Sequence, residues 1–381
     1  MKILIAGGGT GGHVFPGIAV AEELRAHYPQ VEVVFVGGRR GLESQAVPEA
    51  GFRLRTLATS GFARNRPWRW PWAALVNVFG FFQAIWIVLR ERPKAVLGTG
   101  GYVSGPVSLA ARLFGCPLLL QEQNSIPGLT NRWLARIADE VHLSFLEARR
   151  YFPKRDHLLK VTGNPVRAFI LSGERGDALR EWKLDGSRPT LFIFGGSLGA
   201  KRINSAALDA LRRLKGRFDV QCILQTGRDD HDAVAAAVEA EQLPATVLAF
   251  VRKMHLAYAA ADLVVCRAGA MTLAEIAVCG RPSILIPYPY AAHDHQRVNA
   301  VNLADRGAAV MIDEGELSGE RLAQEIAHLL ADRQLLSRMS ANARLFARPD
   351  AAARLARSLV RWAEGHRGQE PVEEVAEEGQ L

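Results

Sequence analysis

Three glycine turns stand out among the residues able to do chemistry. Gly7, Gly9 and Gly12 form a G-x-G-x-x-G set directly after a short apolar run. Such a turn lets the backbone approach a pyrophosphate at a helix N-terminus, where unpaired N–H groups and the helix dipole favour anions. A second turn, Gly195-Gly196-Ser197-Leu198-Gly199, stands in the same strand-to-helix context, and a third, GTGGYVSGP, spans 98–106. One dinucleotide needs one such turn, so three of them point to two phosphate-bearing ligands facing each other across a cleft. For any single turn, a tight strand–helix connection without ligand is the alternative. His13 follows the first turn, at the mouth of such a cleft. Its imidazole suits a general base, and equally a turn cap or a phosphate contact.

Glu275 has two compatible roles. Thr272-x-x-Glu275 spells a capping box at a helix start, and a carboxylate there also suits two hydrogen bonds from a ribose diol. A dinucleotide reading of the first turn wants an acidic residue about 20 positions on. The second strand ends instead in Gly37, Gly38, Arg39 and Arg40, which keeps an NADP 2′-phosphate as an alternative. His293, Asp294, His295 and Gln296 fall in one polar loop with no helical i, i+4 pair, so their spacing argues against a metal centre.

The elements that must carry these residues alternate regularly. Apolar runs at 3–6, 31–38, 95–101 and 117–123 are separated by helical stretches, the first from Val14 to His27. Short continuous apolar runs in that rhythm predict buried parallel strands in a doubly wound α/β sheet. The pattern restarts at 190–200 and continues at 220–227, 245–251, 262–270 and 281–289. Two Rossmann-like domains are expected, 1–163 and 164–340, followed by a last helix at about 341–363. The acidic, aromatic-free end, 366–381, reads as a disordered tail.

Residues 72–89 do not fit this alternation: they are 18 residues without a charge, at the threshold for a membrane span. Runs before and after the segment must pair in one sheet, which a single crossing forbids. A buried helix or one with a membrane-facing side remains. Just upstream, RNRPWRWPW clusters Arg64, Arg66 and Arg69 with three tryptophans, a composition suited to a lipid headgroup interface.

Length and composition agree with two packed domains: 381 residues, 49% hydrophobic, net charge +8. The charge is uneven. Residues 1–160 hold 20 basic and 11 acidic side chains, whereas the remainder is close to neutral, so attraction to anions belongs to the first half. Four cysteines far apart read as core residues of a reducing compartment. The N-terminal apolar run is too short for a signal peptide, which predicts a cytoplasmic chain.

GGTGGHVFPGIAVA, GTGGYVSGP, QEQNSIPGLTNR, GNPVR, GGSLGA, RAGAMTLAE and the HQxxNA element at 295–300 occur in order and spacing over about 1–365. Together they resemble the MurG family of N-acetylglucosaminyltransferases, which convert lipid I to lipid II in peptidoglycan synthesis. The resemblance implies the GT-B fold, two Rossmann-like domains with parallel sheets facing across a cleft, and a last helix, about 341–363, that crosses back to complete the first domain. It implies UDP-GlcNAc against the second domain: Val251 at the uracil, Ala270, Met271, Thr272, Leu273, Ala274 and Glu275 along the nucleotide, Ser197 and Arg167 at the diphosphate, His295 and Gln296 at the sugar. From the first domain it places Thr10, Gly11, Gly12 and Asn124 at the sugar, and Gly8, Gly9, Gly100, Gly101 and Ser104 at the lipid diphosphate. His13 is the candidate base, with Glu122 a second candidate, and neither a metal nor another cofactor is implied. The partners implied are undecaprenyl-linked lipid I, an acidic membrane surface at the cytoplasmic face of the inner membrane, and other cell-wall and division enzymes, with no nucleic acid. Leu198 stands where relatives often carry Gln, which puts a side-chain contact from that position in doubt. An NADP oxidoreductase, a UDP-GlcNAc 2-epimerase and a glycolipid synthase are the competing classes, and the Trp/Arg-flanked apolar segment speaks against a soluble epimerase.

Overall fold

The computed structural model describes residues 1–60, 68, 70–152 and 156–366. Arg64, Arg66, Arg69 and the expected tail beyond His366 lie outside the described residues. The first sheet has seven parallel strands: β1 (Lys2–Gly7), β2 (Glu32–Gly38), β3 (Arg53–Leu57), β4 (Ala95–Gly100), β5 (Leu118–Glu122), β6 (Glu140–Leu143) and β7 (Leu159–Val161), in the order β3-β2-β1-β4-β5-β6-β7. The second has six: β8 (Thr190–Phe194), β9 (Gln221–Gln225), β10 (Ala245–Leu248), β11 (Leu263–Cys266), β12 (Ser283–Leu285) and β13 (Ala309–Met311), in the order β10-β9-β8-β11-β12-β13. Both orders reverse beside the first strand, β1 or β8. Doubly wound sheets open a crevice at that point, outside the carboxyl ends of the strands. Strands β3, β6, β7 and β13 escape an apolar-run reading because they are three to five residues long and three of them carry charge.

Around the first sheet run α1 (Gly11–His27), α2 (Glu43–Glu49), α3 (Trp70–Glu91), α4 (Gly101–Leu113) and α5 (Leu129–Leu134). The second carries α6 (Arg175–Trp182), α7 (Lys201–Leu214), α8 (Arg228–Ala240), α9 (Met254–Ala260), α10 (Ala270–Cys279), α11 (His295–Ala304), α12 (Gly319–Ala331) and α13 (Arg333–Leu345). The single helix expected over 341–363 is in fact two, α13 and α14 (Ala351–Ala363). Pro349 lies between them; it disfavours helical backbone at Arg348 and provides no N–H to continue the ladder. This break lets α14 cross back and lay Leu355, Ala356, Leu359 and Val360 into the core beside Ile3, Ile5, Val14 and Ile18. Burying its two leucines contributes about 2 kcal/mol each. Arg361 of α14 pairs with buried Glu140, which also meets Lys160 at 3.2 Å and His142 at 3.2 Å.

Helix α3 is not wholly buried. Ala73, Gly80, Ala84, Ile87, Val88 and Glu91 face inward, while Trp72, Leu75, Val78, Phe79, Phe82, Trp86 and Leu89 are each more than half exposed. The inward side is fixed by polar contacts: Gln83 accepts from Ala58 N at 2.7 Å, and Asn77 bonds both N and O of Ser60 at 3.0 Å. Gly80 allows the Ala58 carbonyl to approach the helix where a Cβ would collide with it. The apolar surface continues onto α4 through Leu109, Leu113 and Phe114. By length and composition α3 is able to cross a membrane. It does not, because β4 after it pairs with β1 before it.

Candidate active site

The first glycine turn joins β1 to α1. Thr10 is extended at the N-cap, no side chain caps the helix, and its first turn holds no acidic residue. The leading N–H groups, Gly11 and Gly12 among them, lack intrahelical acceptors, which leaves a partial positive charge at the site. The other end of the turn is already neutralised. Glu43, 2% exposed, accepts from Gly9 N at 2.9 Å and Gly38 N at 2.7 Å, and a Cβ at Gly8, Gly37 or Gly41 would run into its side chain. Gly8 and Gly9, expected at the lipid diphosphate, therefore lie against the Glu43 carboxylate. The Gly9 N–H is engaged, and the Glu43 charge opposes a second anion there.

The third turn interlocks with the first. Gly100 (φ +103°) and Gly101 (φ +80°) open α4. A Cβ on Gly100 would lie 2.9 Å from His13 Nδ1, and one on Gly101 would strike the Gly8 carbonyl. Ser104, also expected at the diphosphate, is fully buried under the end of β4 with no partner for its hydroxyl, so it does not line the cleft.

His13, in the first turn of α1, is half-buried. Its Nδ1 lies 3.0 Å from Gln123 Oε1, and its carbonyl accepts from Thr99 Oγ1 at 2.7 Å. Burial pushes the His13 pKa below its ordinary 6.5, with His295 on the second domain adding to the shift and the Gln123 hydrogen bond opposing it. A lowered pKa favours the neutral imidazole, the form a base needs to accept a proton.

Glu122, the second candidate base, is held by donors of its own domain. It is 1% exposed, and its two oxygens accept from Asn124 N (3.0 Å), Asn124 Nδ2 (3.4 Å), Gly128 N (3.1 Å) and Asn131 Nδ2 (2.9 Å). Burial pushes its pKa up and these donors oppose that shift; no lone pair is left for a substrate proton. Its work is to shape the 123–128 loop. That loop presents Asn124 and docks on the second domain, where Ser125 Oγ meets Asn299 Oδ1 at 2.8 Å and Asn302 Nδ2 at 3.4 Å.

On the second domain, α7 begins at Lys201, so Gly196 and Ser197 sit in the loop before it rather than at its first turn. Gly196 (φ +96°) and Gly199 (φ +79°) shape that loop, and Ser197 and Leu198 are exposed on it. Gln225 ties the loop to Val251, donating to Gly196 O at 2.9 Å and accepting from Val251 N at 2.8 Å. The Val251 N–H is thereby occupied and its carbonyl is the backbone group left to meet a base.

Helix α10 starts at Ala270 with Gly269 as N-cap and no side-chain cap bond. The capping box expected of Thr272 and Glu275 does not form, because both lie inside the helix. Ala270, Met271 and Leu273 are buried, and Thr272 and Ala274 half-buried, along its opening turns. Glu275, 8% exposed, accepts from the buried Tyr258 hydroxyl at 2.9 Å through Oε2, while no donor among the described residues reaches Oε1. Burial pushes its pKa up, and Tyr258 and the Arg167 charge pull it back. Arg167 is sandwiched between Phe15 of the first domain (4.5 Å) and Phe169 (4.3 Å), and its buried Nε has no hydrogen-bond partner among the described residues. His295 opens α11 with Nδ1 2.8 Å from the Ala292 carbonyl, and Gln296 Oε1 accepts from Tyr288 N at 3.0 Å.

Arg167 on Phe15 and Ser125 against Asn299 place the two walls next to each other. Glu43, Gln123, Tyr258, Phe15 and Asn299 were not singled out in the sequence; Gln123 and Asn299 lie inside quoted motifs, but their roles depend on partners 110 and 174 residues away.

Comparison with known proteins gives one answer. Residues 3–143 match the glycosyltransferase family 28 N-terminal domain and residues 190–355 its C-terminal domain. Proteins from Geobacter sp. (strain M21) and Chlorobaculum parvum, each named UDP-N-acetylglucosamine–N-acetylmuramyl-(pentapeptide) pyrophosphoryl-undecaprenol N-acetylglucosamine transferase, are 45% and 46% identical. Each alignment covers 94% of this chain and 96% or 99% of the relative. The crystal structure of Acinetobacter baumannii MurG superposes with a TM-score of 0.73 at 31% identity, covering 94% of this chain and 99% of that one. A UDP-N-acetylglucosamine 2-epimerase superposes at 0.71 with 15% identity and shares the fold alone. With two parallel sheets joined across a cleft and these relatives, the chain is a GT-B glycosyltransferase and belongs to the MurG family of N-acetylglucosamine transferases.

Proposed function

We propose that the protein transfers GlcNAc from UDP-GlcNAc to the C4 hydroxyl of MurNAc in undecaprenyl-diphospho-MurNAc-pentapeptide, forming lipid II with inversion and without a metal, as a peripheral protein on the cytoplasmic face of the inner membrane. The acceptor O4 bonds to the anomeric carbon from the side opposite UDP, the bond from that carbon to the diphosphate oxygen breaks, and the O4 proton passes to His13 Nε2. Arg167, with its unpartnered buried Nε, and the N–H groups of the 195–199 loop stabilise charge on the departing diphosphate. The observation that carries the reading is the pairing across one cleft of a positioned imidazole on α1 with a buried carboxylate and guanidinium on the other wall.

A thermal melt with UDP, UDP-GlcNAc, UDP-Gal and NADPH tests the donor. UDP-GlcNAc is expected to raise Tm most, and stabilisation by NADPH alone would overturn the proposal. Glu275 holds the donor ribose through its unoccupied Oε1. Losing those charge-assisted bonds in Glu275→Ala is expected to raise the UDP-GlcNAc KM about 10- to 100-fold, with kcat changed little; a defect confined to kcat would count against the ribose role.

A further inference from the structure

We propose that Gln123 is a positioning residue for the reaction, holding His13 with its proton on Nδ1 so that Nε2 is the atom that takes the proton from the acceptor hydroxyl; this rests on the reading of His13 as the base. Gln123 is 1% exposed and Gln121 is fully buried. The Gln123 amide nitrogen donates to the Thr99 carbonyl at 2.7 Å, the Gln121 carbonyl at 3.2 Å and the Gln121 side-chain oxygen. All three are acceptors, so turning the amide over would set oxygen against oxygen. The Gln121 side chain is held in its turn, its nitrogen donating to Ser144 Oγ at 3.1 Å and Asn164 Oδ1 at 3.2 Å. The amide orientation is therefore fixed from behind, and Gln123 Oε1 is presented to His13 Nδ1 as an acceptor.

An acceptor at Nδ1 requires a proton there, and a neutral imidazole with Nδ1–H has a bare Nε2. Thr99 grips the His13 carbonyl, and the missing side chain of Gly100 lets the imidazole edge lie against that turn. The carboxylate of a Ser-His-Asp triad sets tautomer and also stabilises the imidazolium. An amide sets tautomer with no net charge, which leaves the base weakly basic in its buried place.

Three measurements on the full-length protein test this. In ¹⁵N-histidine-labelled protein, with the His13 signals assigned by their loss in His13→Ala, Nδ1 is expected to show a protonated shift and Nε2 a bare one. In Gln123→Met the two forms should mix, kcat should fall about 10-fold, the worth of one hydrogen bond, and the UDP-GlcNAc KM should stay within about twofold. His13→Ala/Gln123→Met should be no more than about twofold slower than His13→Ala, because a residue acting through His13 has nothing left to position. A proton on Nε2 in the wild type overturns the proposal whether or not the methionine variant folds. So does a further large loss in the double variant, or unchanged turnover in Gln123→Met. Full turnover in His13→Ala would instead remove the base itself, a failure separate from that of the tautomer.

Discussion

His13→Ala is expected to lower kcat by about 10²- to 10⁴-fold, the range typical of a lost general base, while UDP-GlcNAc affinity stays near the wild-type value. His13 stands on the first domain, whereas Glu275 and Arg167 belong to the second, so under the proposed mechanism the substitution would remove the proton acceptor and leave the donor site intact. Turnover by the wild type should also depend on pH through this group. His13 acts when neutral, and burial holds its pKa below 6.5 with the His295 charge in support and Glu43 opposing. Rate is therefore full at neutral pH and falls as pH drops through a value below 6.5. Steady-state assays with lipid I in vesicles measure both effects. Wild-type turnover in the alanine variant would remove His13 from the mechanism, and an acid limb above pH 7 would contradict the environment described for it.

The second large effect belongs to the apolar face of α3. Phe79→Ser, Phe82→Ser and Trp86→Ser together should weaken binding to anionic vesicles about 100-fold. A fully buried aromatic contributes roughly 1.5–3 kcal/mol, so even partial insertion of three side chains reaches the roughly 2.8 kcal/mol that two decades require. All three are more than half exposed in the folded chain, so folding should survive. The excess of basic residues in the first half adds an electrostatic component, and raising salt should weaken wild-type binding further. Binding insensitive to both the triple substitution and salt would leave the exposed face without a role.

The architecture was legible because its signal is repetitive. Apolar runs ending in glycine turns marked β1, β4 and β8, and each is a strand feeding a helix. The short or charged strands β3, β6, β7 and β13 were not legible, since their place in the sheets comes from pairing rather than composition. The candidate site was half legible. Glycine spacing pointed to the turns, but not to Glu43 filling one of them from 34 residues away. Thr272 and Glu275 had the spacing of a cap, yet the N-cap of α10 is Gly269, three residues earlier, and Glu275 finds Tyr258 instead. Glu122 was chosen for its type and its motif; four N–H donors that only the folded 123–131 segment brings together make it a scaffold. Residue type and spacing find what a local backbone does, whereas tautomer, charge balance and occupancy are decided by partners distant in the chain.

The return of α14 has a consequence for biosynthesis. The first domain's core includes Leu355 and Leu359, so its apolar layer over α1 stays open until nearly the whole chain has left the ribosome. During translation the second domain has all its strands before the first can seal. The nascent protein thus carries an unsealed apolar layer on one face of the first sheet, while α3 is packed on the other.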